Sequence, residues 1–399
     1  ELSAVSLRIL APFPGHDYVG VEVPNSDPDT VRFRSLLETS LWADTEARLP
    51  LLIGRNISGK PVLLDLASAP HLLIAGATGS GKSVCLNAVV LSLLYRFSPR
   101  DLRLILVDPK IVEFSVYGRL PHLMLPVITQ SEQVVQALKW VVSEMERRYD
   151  LLAKLGARSV DEYNRKRNQQ DPRRCEHLPY VVLVIDEVAD IMMRSSEDAE
   201  QLLTRIAQMA RAVGIHAVIA TQRPSVNVIT GVIKANFPTR IAFQVASQID
   251  SRTILDGKGA ESLLGRGDML FMPPGASRLQ RLQGALVMER EAEAVAAYAA
   301  EQAEPRFNMA ILRVPRDDDA AAETGGEEPR EDPALVRQAV ELVVNDRRAS
   351  TSYIQRRLRI GYNRAATIME ILEERGIVGP QVGTAPREVL VLPGEETAL

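Results

Sequence analysis

The chain has 399 residues, of which 46% are hydrophobic and 25% charged, with a formal net charge of −4. That composition belongs to a globular protein with room for two or three domains, and it excludes a disordered or collagen-like chain. Two cysteines, Cys85 and Cys175, make neither a disulfide framework nor a zinc set, and no apolar run reaches the ~18–20 residues of a membrane span.

The cysteine usage points to a reducing, cytosolic compartment. The chain opens at Glu1 without a methionine or a signal peptide, so it is expected to be a piece of a longer protein. Residues 1–65, with apolar patterns such as "LSAVSLRIL" and "VRFRSLLETSLW", are expected to form a small leading α+β domain.

From His71 onward strand-like and helical runs alternate. His71–Ala75 reads as a buried strand and Val84–Val90 has helical spacing. Between them Gly76, Ala77, Thr78, Gly79, Ser80, Gly81, Lys82 and Ser83 spell G-x-x-x-x-G-K-S, a phosphate-binding loop. Glycines let the backbone curl so that successive N–H groups point inward, and the following helix adds the partial positive charge of its N-terminus. Lys82 would reach the β- and γ-phosphates, and the Ser83 hydroxyl would sit on Mg²⁺.

Further apolar strands follow as "LRLILVD" at 102–108, "YVVLVIDE" at 180–187, "IHAVIATQ" at 215–222 and "RIAFQV" at 240–245. Unbroken apolar strands separated by helices, such as the amphipathic "SEQVVQALKWVVSEMERRYDLLAKL", indicate an α/β fold whose parallel sheet is covered on both faces. Ligands gather at the carboxyl ends of such strands. Asp186 is therefore placed to hold Mg²⁺, and Glu187 to orient and deprotonate an attacking water. At the next strand end Thr221 and Gln222 could touch the γ-phosphate, and Gln222 is the better placed.

The stretch "RPSVNVITGVIKANFPT" reads as a long polar loop bearing Arg223, Ser225, Asn227, Thr230 and Lys234; under the family resemblance that other stretches carry, these residues would grip DNA phosphates, the alternative being a solvated loop. Arg240 and Arg252 each fit an arginine that completes a neighbouring subunit's site, or a structural role. The cationic "NRKRNQQDPRR" at 164–174 is expected to be an exposed outer loop.

Residues 316–332, "RDDDAAAETGGEEPRED", carry eight acids against two arginines, a local −6 that leaves +2 for the remainder. Such a segment cannot bury enough apolar surface to fold and reads as a linker between an ATPase body at 66–315 and a C-terminal unit at 333–399. In that unit Asp332-Pro333 starts the helix "ALVRQAVELVVND", "TSYIQRRLRI" forms a second and "RAATIMEILEERG" a third, ahead of the hairpin "IVGPQVGTAPREVLVL". This is the pattern of a winged helix-turn-helix, whose third helix can enter the major groove. Arg356, Asn363 and Arg364 are its candidate DNA contacts, with Arg387 on the wing tracking phosphate.

Several stretches together, "GATGSGKS", "LVIDEVADIMM", "RIAQMARAVGIHAVIATQRPSVNVITGVIKANFPTRIAFQVASQIDSRTILD" and "GAESLLGRGDMLF", resemble the FtsK/SpoIIIE DNA translocases. The resemblance covers nearly the whole chain. It implies a RecA-like P-loop ATPase core with a small leading domain and a C-terminal winged helix, using ATP and Mg²⁺ and assembled as a hexameric ring around double-stranded DNA. It also implies a role in bacterial chromosome segregation at division, an upstream inner-membrane anchor, and a winged unit that reads oriented DNA sequences and contacts a recombinase. By the same resemblance the nucleotide motifs map onto Lys82, Ser83, Asp186, Glu187 and Gln222, with Arg240 preferred as the trans arginine and no small-molecule substrate besides ATP. The rivals are a related ring ATPase that pumps protein or conjugative DNA across a membrane, and a nucleotide-switched DNA-binding regulator.

Overall fold

A computed structural model describes residues 8–10, 19–23, 25, 29–169, 175–275, 278–312, 333–358, 362–379 and 387–391. The chain forms two compact units, Glu1–Arg313 and Val314–Leu399. The expected acidic linker, 316–332, lies outside the described residues.

The first unit starts with a ribbon of β1 (Arg8–Leu10) and β2 (Gly20–Glu22), then short helices α1 (Phe33–Leu37) and α2 (Ser40–Ala43). There follow β3 (Pro50–Asn56), β4 (Pro61–Asp65), β5 (His71–Ala75), α3 (Lys82–Arg96) and β6 (Leu102–Val107). The long α4 (Ser131–Lys154) and α5 (Val160–Gln169) lead to β7 (Tyr180–Ile185), α6 (Val188–Met192), α7 (Ser196–Met209) and β8 (Ile215–Thr221). Then come α8 (Gly231–Asn236), β9 (Thr239–Phe243), α9 (Gln248–Leu255), β10 (Asp268–Met272), β11 (Gln280–Gly284) and α10 (Glu289–Gln302).

Nine strands make one sheet in the order β4-β3-β11-β10-β9-β5-β8-β7-β6. The five from β9 to β6 are parallel, in the order of a RecA-like core, and β10, β11, β3 and β4 extend it by antiparallel pairs. Successive side chains of a strand point to opposite faces. Leu73, Ile105, Leu183 and Ala217 accordingly pack with α4 and α7, while Leu72, Leu104, Val182 and Val218 pack with α3. Both faces are dry, which is why these strands are apolar throughout; each buried Leu, Ile or Val contributes ~1.5–3 kcal/mol.

The expected boundary near residue 65 is not a break. β3 and β4 belong to the same sheet through β11, because the buried Leu51, Leu52 and Ile53 need the cover that α3 supplies. The stretch expected as an outer loop at 164–174 is helical up to Gln169, and 170–174 lie outside the described residues.

Parallel registers bring the ends of four strands to one edge: Ala75 faces Thr221, and Ile185 lies between Ile219 and Val107. At the opposite edge His71 and His216 are buried with ring centroids 6.2 Å apart. The Ala217 amide donates to His71 Nδ1 at 3.1 Å, so that nitrogen is unprotonated. Burial pushes His71 down to about 3, with His216 adding to the effect, and burial likewise lowers His216 to about 4.

In the second unit α11 (Pro333–Asp346), α12 (Thr351–Leu358) and α13 (Tyr362–Glu374) close over Val340, Val343, Ile354, Ile368 and Leu372. Antiparallel bridges Ala349–Arg387 and Val378–Val389 supply the described part of the wing. No helix among the described residues is long and apolar enough to cross a membrane.

Candidate active site

The loop between β5 and α3 is shaped by its own sequence. Gly81 has φ 118°, in the left-handed region that favours glycine, and a Cβ there would lie 2.7 Å from the Gly267 nitrogen. A Cβ on Gly76 would lie 2.5 Å from Phe243 Cβ. Bonds from Ala77 N to the Gln244 carbonyl (2.8 Å) and from Gly267 N to the Ser80 carbonyl (2.8 Å) fix the loop against its neighbours. Among the described residues the amides of Thr78, Gly79, Gly81, Lys82 and Ser83 donate to no carbonyl, so they form a ready anion cradle.

The predicted side chains converge on that cradle. Lys82, 2% exposed, donates to the Asp186 carbonyl at 2.9 Å and ion-pairs with Asp186 Oδ1. Asp186 is fully buried, and its Oδ2 has no partner. Burial pushes its carboxyl up against the opposing pull of Lys82. A buried carboxylate oxygen left open on the partner of Lys82, the residue before Ser83, fits a magnesium ion, for which hard oxygen donors are the natural set.

Glu187 is also fully buried, and three groups hold it. Thr221 Oγ1 donates to Oε1 at 2.5 Å, Gln222 N to Oε2 at 3.1 Å, and Lys110 Nζ lies 3.5 Å from Oε2. The Thr78 hydroxyl donates to Gln222 Oε1 at 3.0 Å, which ties the end of β8 to the phosphate loop. Two residues of this neighbourhood were missed in the sequence reading: Lys110, and Glu113, which accepts a hydrogen bond from the Ser83 hydroxyl. Their signal was available in "VDPKIVEF", where charged residues follow the carboxyl end of an apolar strand.

Other expectations fare differently. Arg240, preferred as a trans arginine, is 7% exposed and donates to the carbonyls of Phe237, Ile254 and Lys234 and to Asp256 Oδ2 at 2.6 Å. It clamps α8 and α9 within its own subunit, and serving another would strip four acceptors, so that preference is withdrawn. Arg252, on α9, is exposed. Lys234 is ion-paired with Asp256 at 2.6 Å, whereas Arg223 is 53% exposed with Asp190 3.9 Å away. The segment expected as a polar loop carries α8 and buries Val228, Ile229, Ile233 and Phe237, because apolar residues among its polar ones recur at helical spacing.

In the second unit Arg356 is exposed, its Nε donating to the Ser352 carbonyl. Asn363 and Arg364 lie in the first turn of α13, and their side chains are outside the described residues. Arg387 was expected to track phosphate, but its guanidinium is 12% exposed and donates to the Met369 carbonyl (3.1 Å) and Glu373 (2.5 Å). It fastens the wing to α13 instead.

Sequence models add what geometry alone leaves open. The FtsK/SpoIIIE family model matches residues 32–226 and the Ftsk gamma domain model matches residues 330–392. The chain belongs to the FtsK/SpoIIIE family. Within that family it is 49% identical over 393 residues to DNA translocase SpoIIIE of Bacillus subtilis (strain 168), a match covering 98% of this chain and 49% of that protein. It is 50% identical over 390 residues to DNA translocase FtsK of Treponema pallidum (strain Nichols), covering 98% and 48%. The chain thus spans about half the length of these FtsK/SpoIIIE relatives.

Solved structures agree on the fold. The pCW3 conjugation coupling protein TcpA, in a monomer form with ATPγS, superposes with TM-score 0.59 at 25% identity, over 74% of this chain and 80% of that one. The cytoplasmic domain of the type VII secretion ATPase EccC from Thermomonospora curvata gives TM-score 0.60 at 26% identity, over 73% and 36%.

Proposed function

We propose that this chain is the motor and DNA-reading part of an ATP-driven double-stranded DNA translocase that acts in bacterial chromosome segregation during division. The observation that carries the proposal is the convergence of Lys82, Ser83, Asp186, Glu187 and Gln222 on one sheet edge, in a chain about half identical to proteins named DNA translocase.

The five free amides and Lys82 bind and orient the phosphates of ATP. Ser83 and Asp186 would hold Mg²⁺, which would supply neutralisation of phosphate charge. Glu187 takes a proton from water as the water oxygen bonds to the γ-phosphorus, and the bond to the ADP oxygen breaks with its electron pair leaving on ADP. Lys82 then meets the charge that develops on the leaving oxygen. Gln222, bonded to Thr78 and adjoining Glu187, registers the change at the γ-phosphate and passes it into the segment beginning at Arg223.

The ring is hexameric in this reading, with exposed Arg252 reaching a neighbour's site in place of Arg240. Arg223, Arg356, Asn363 and Arg364 meet DNA, the last three in a winged unit that reads oriented sequences and docks a recombinase. An inner-membrane anchor would belong, in this reading, to sequence upstream of this chain.

The similarity to TcpA and EccC favours a second reading, a pump for conjugative DNA or protein. The gamma domain favours the first, because a protein pump has no need of a duplex reader. ATP turnover by the intact chain separates them: stimulation by duplex DNA is expected, and stimulation only by a protein substrate overturns the translocase.

A further inference from the structure

The segment after β6, Asp108–Phe114, is assigned no role by the motifs, yet its backbone is closely held at the nucleotide edge. Asp108 is fully buried, and its Oδ2 accepts the amides of Val112, Glu113 and Phe114, each at 2.9 Å, while Oδ1 accepts that of Lys110 at 3.2 Å. Four amides on one carboxylate fold the loop before any ligand arrives. At its far end Phe114 and Tyr117 are fully buried, and the Tyr117 hydroxyl donates to Asn87 of α3 at 2.6 Å.

Between these anchors the backbone is strained. Ile111 has φ 58°, a left-handed conformation that a β-branched residue adopts only when its surroundings impose it. Ile111 and Val112 stand 65% and 67% exposed, so no core burial explains the arrangement. What the turn does accomplish is to aim two charged side chains inward: Lys110 at Glu187 and Glu113 at Ser83.

Resting on the ATPase reading above, we propose that this loop is a third working part of the site: Glu113 is an additional oxygen donor toward the nucleotide-bound Mg²⁺, and Lys110 is a positioning residue for Glu187. Two neighbouring residues at the start of α3 carry the argument. Lys82 holds one oxygen of Asp186, whose other oxygen is buried and unpartnered, and Ser83 holds Glu113. One carboxylate is therefore held by Lys82 and a second by the adjacent hydroxyl that the phosphate-loop pattern gives to the cation, and the second is delivered by the loop folded on Asp108.

The test uses the intact chain and fluorescent mant-ADP. Glu113→Gln should bind mant-ADP in EDTA within twofold of the parent, while the Mg²⁺ concentration at half-saturation of the magnesium-dependent signal rises about tenfold. Glu113→Asp, which keeps the charge, should recover part of that shift and serves if the Gln variant melts early. A magnesium midpoint unchanged in both variants overturns the assignment of Glu113. For Lys110, Lys110→Met should lower kcat about tenfold with KM for ATP unchanged, and Lys110→Arg should restore it; an unchanged kcat, or a change confined to KM, overturns the positioning role. A parent chain that binds no mant-ADP with or without Mg²⁺ would instead refute the underlying ATP site, so the two failures are distinguishable.

Discussion

Two charged clusters in the first unit, one around Asp256 and one around Asp186, differ in completeness. Around Asp256 the donors of Arg240 and Lys234 are matched by three carbonyls and one carboxylate. Around Asp186 and the phosphate loop the bonds stop short: Asp186 Oδ2 and the Ser80 hydroxyl are buried without partners, and five loop amides have no acceptor among the described residues. Buried polar groups are nearly always satisfied, so the closed cluster reads as a clamp and the open one as a site awaiting an anion and its cation. Number of charges does not separate the two; unmet hydrogen-bonding capacity does.

The contrast is broken most severely at Glu187. Glu187→Gln should lower kcat by about 10²–10⁴ while ATP binding stays within a few-fold, because the amide keeps the shape and loses the base. A rate within threefold of the parent, measured under saturating ATP and DNA, would remove Glu187 from the chemistry.

The closed cluster should respond in stability instead. Arg240→Ala is expected to cost about 2–3 kcal/mol, below the ~3–5 kcal/mol of a fully buried pair because Asp256 is 58% exposed. Arg252→Ala should leave the melting temperature unchanged yet lose turnover, and mixing it with Lys82→Ala subunits should restore some activity if it acts across subunits. Early melting of Arg252→Ala with normal turnover would reverse the two assignments.

The histidine pair at the opposite edge sharpens the comparison at smaller scale. Burial holds both rings neutral in the fold, whereas unfolded they titrate near 6.5. Between about 6.5 and 4 the unfolded chain therefore binds more protons, so stability is whole above pH ~6.5 and falls as the pH drops, by up to ~1.4 kcal/mol per unit for each ring. Thermal melts at pH 7 and 5 check this, and a His216→Asn variant should show a shallower loss.

The sequence spoke clearly where backbone geometry forces residue type. Gly81 must be glycine for its φ and for Gly267 to approach, Lys82 and Ser83 lie in the first turn of α3, and Asp186-Glu187 directly follow an apolar strand, so spacing alone located them. It spoke poorly about which cations are free. Arg240, Arg387 and Lys234 sit in arginine- or lysine-bearing stretches like those of Arg252 and Arg356, but carbonyls and acids distant in sequence claim them. Loop function was hidden for a similar reason: the work of Lys110 and Glu113 depends on a turn imposed by Asp108, and no local pattern announces four amides around one carboxylate. The boundary at residue 65 was misplaced because strand pairing between β3 and β11 joins residues more than two hundred positions apart.

In the proposed motor, phosphate bound at Lys82 drives movement along duplex DNA. Displacement of a third strand from a triplex-bearing duplex, with ATP and the intact chain, tests it most directly. Displacement by the parent should vanish in Lys82→Ala and without ATP; displacement that persists in Lys82→Ala would contradict a motor driven from this site.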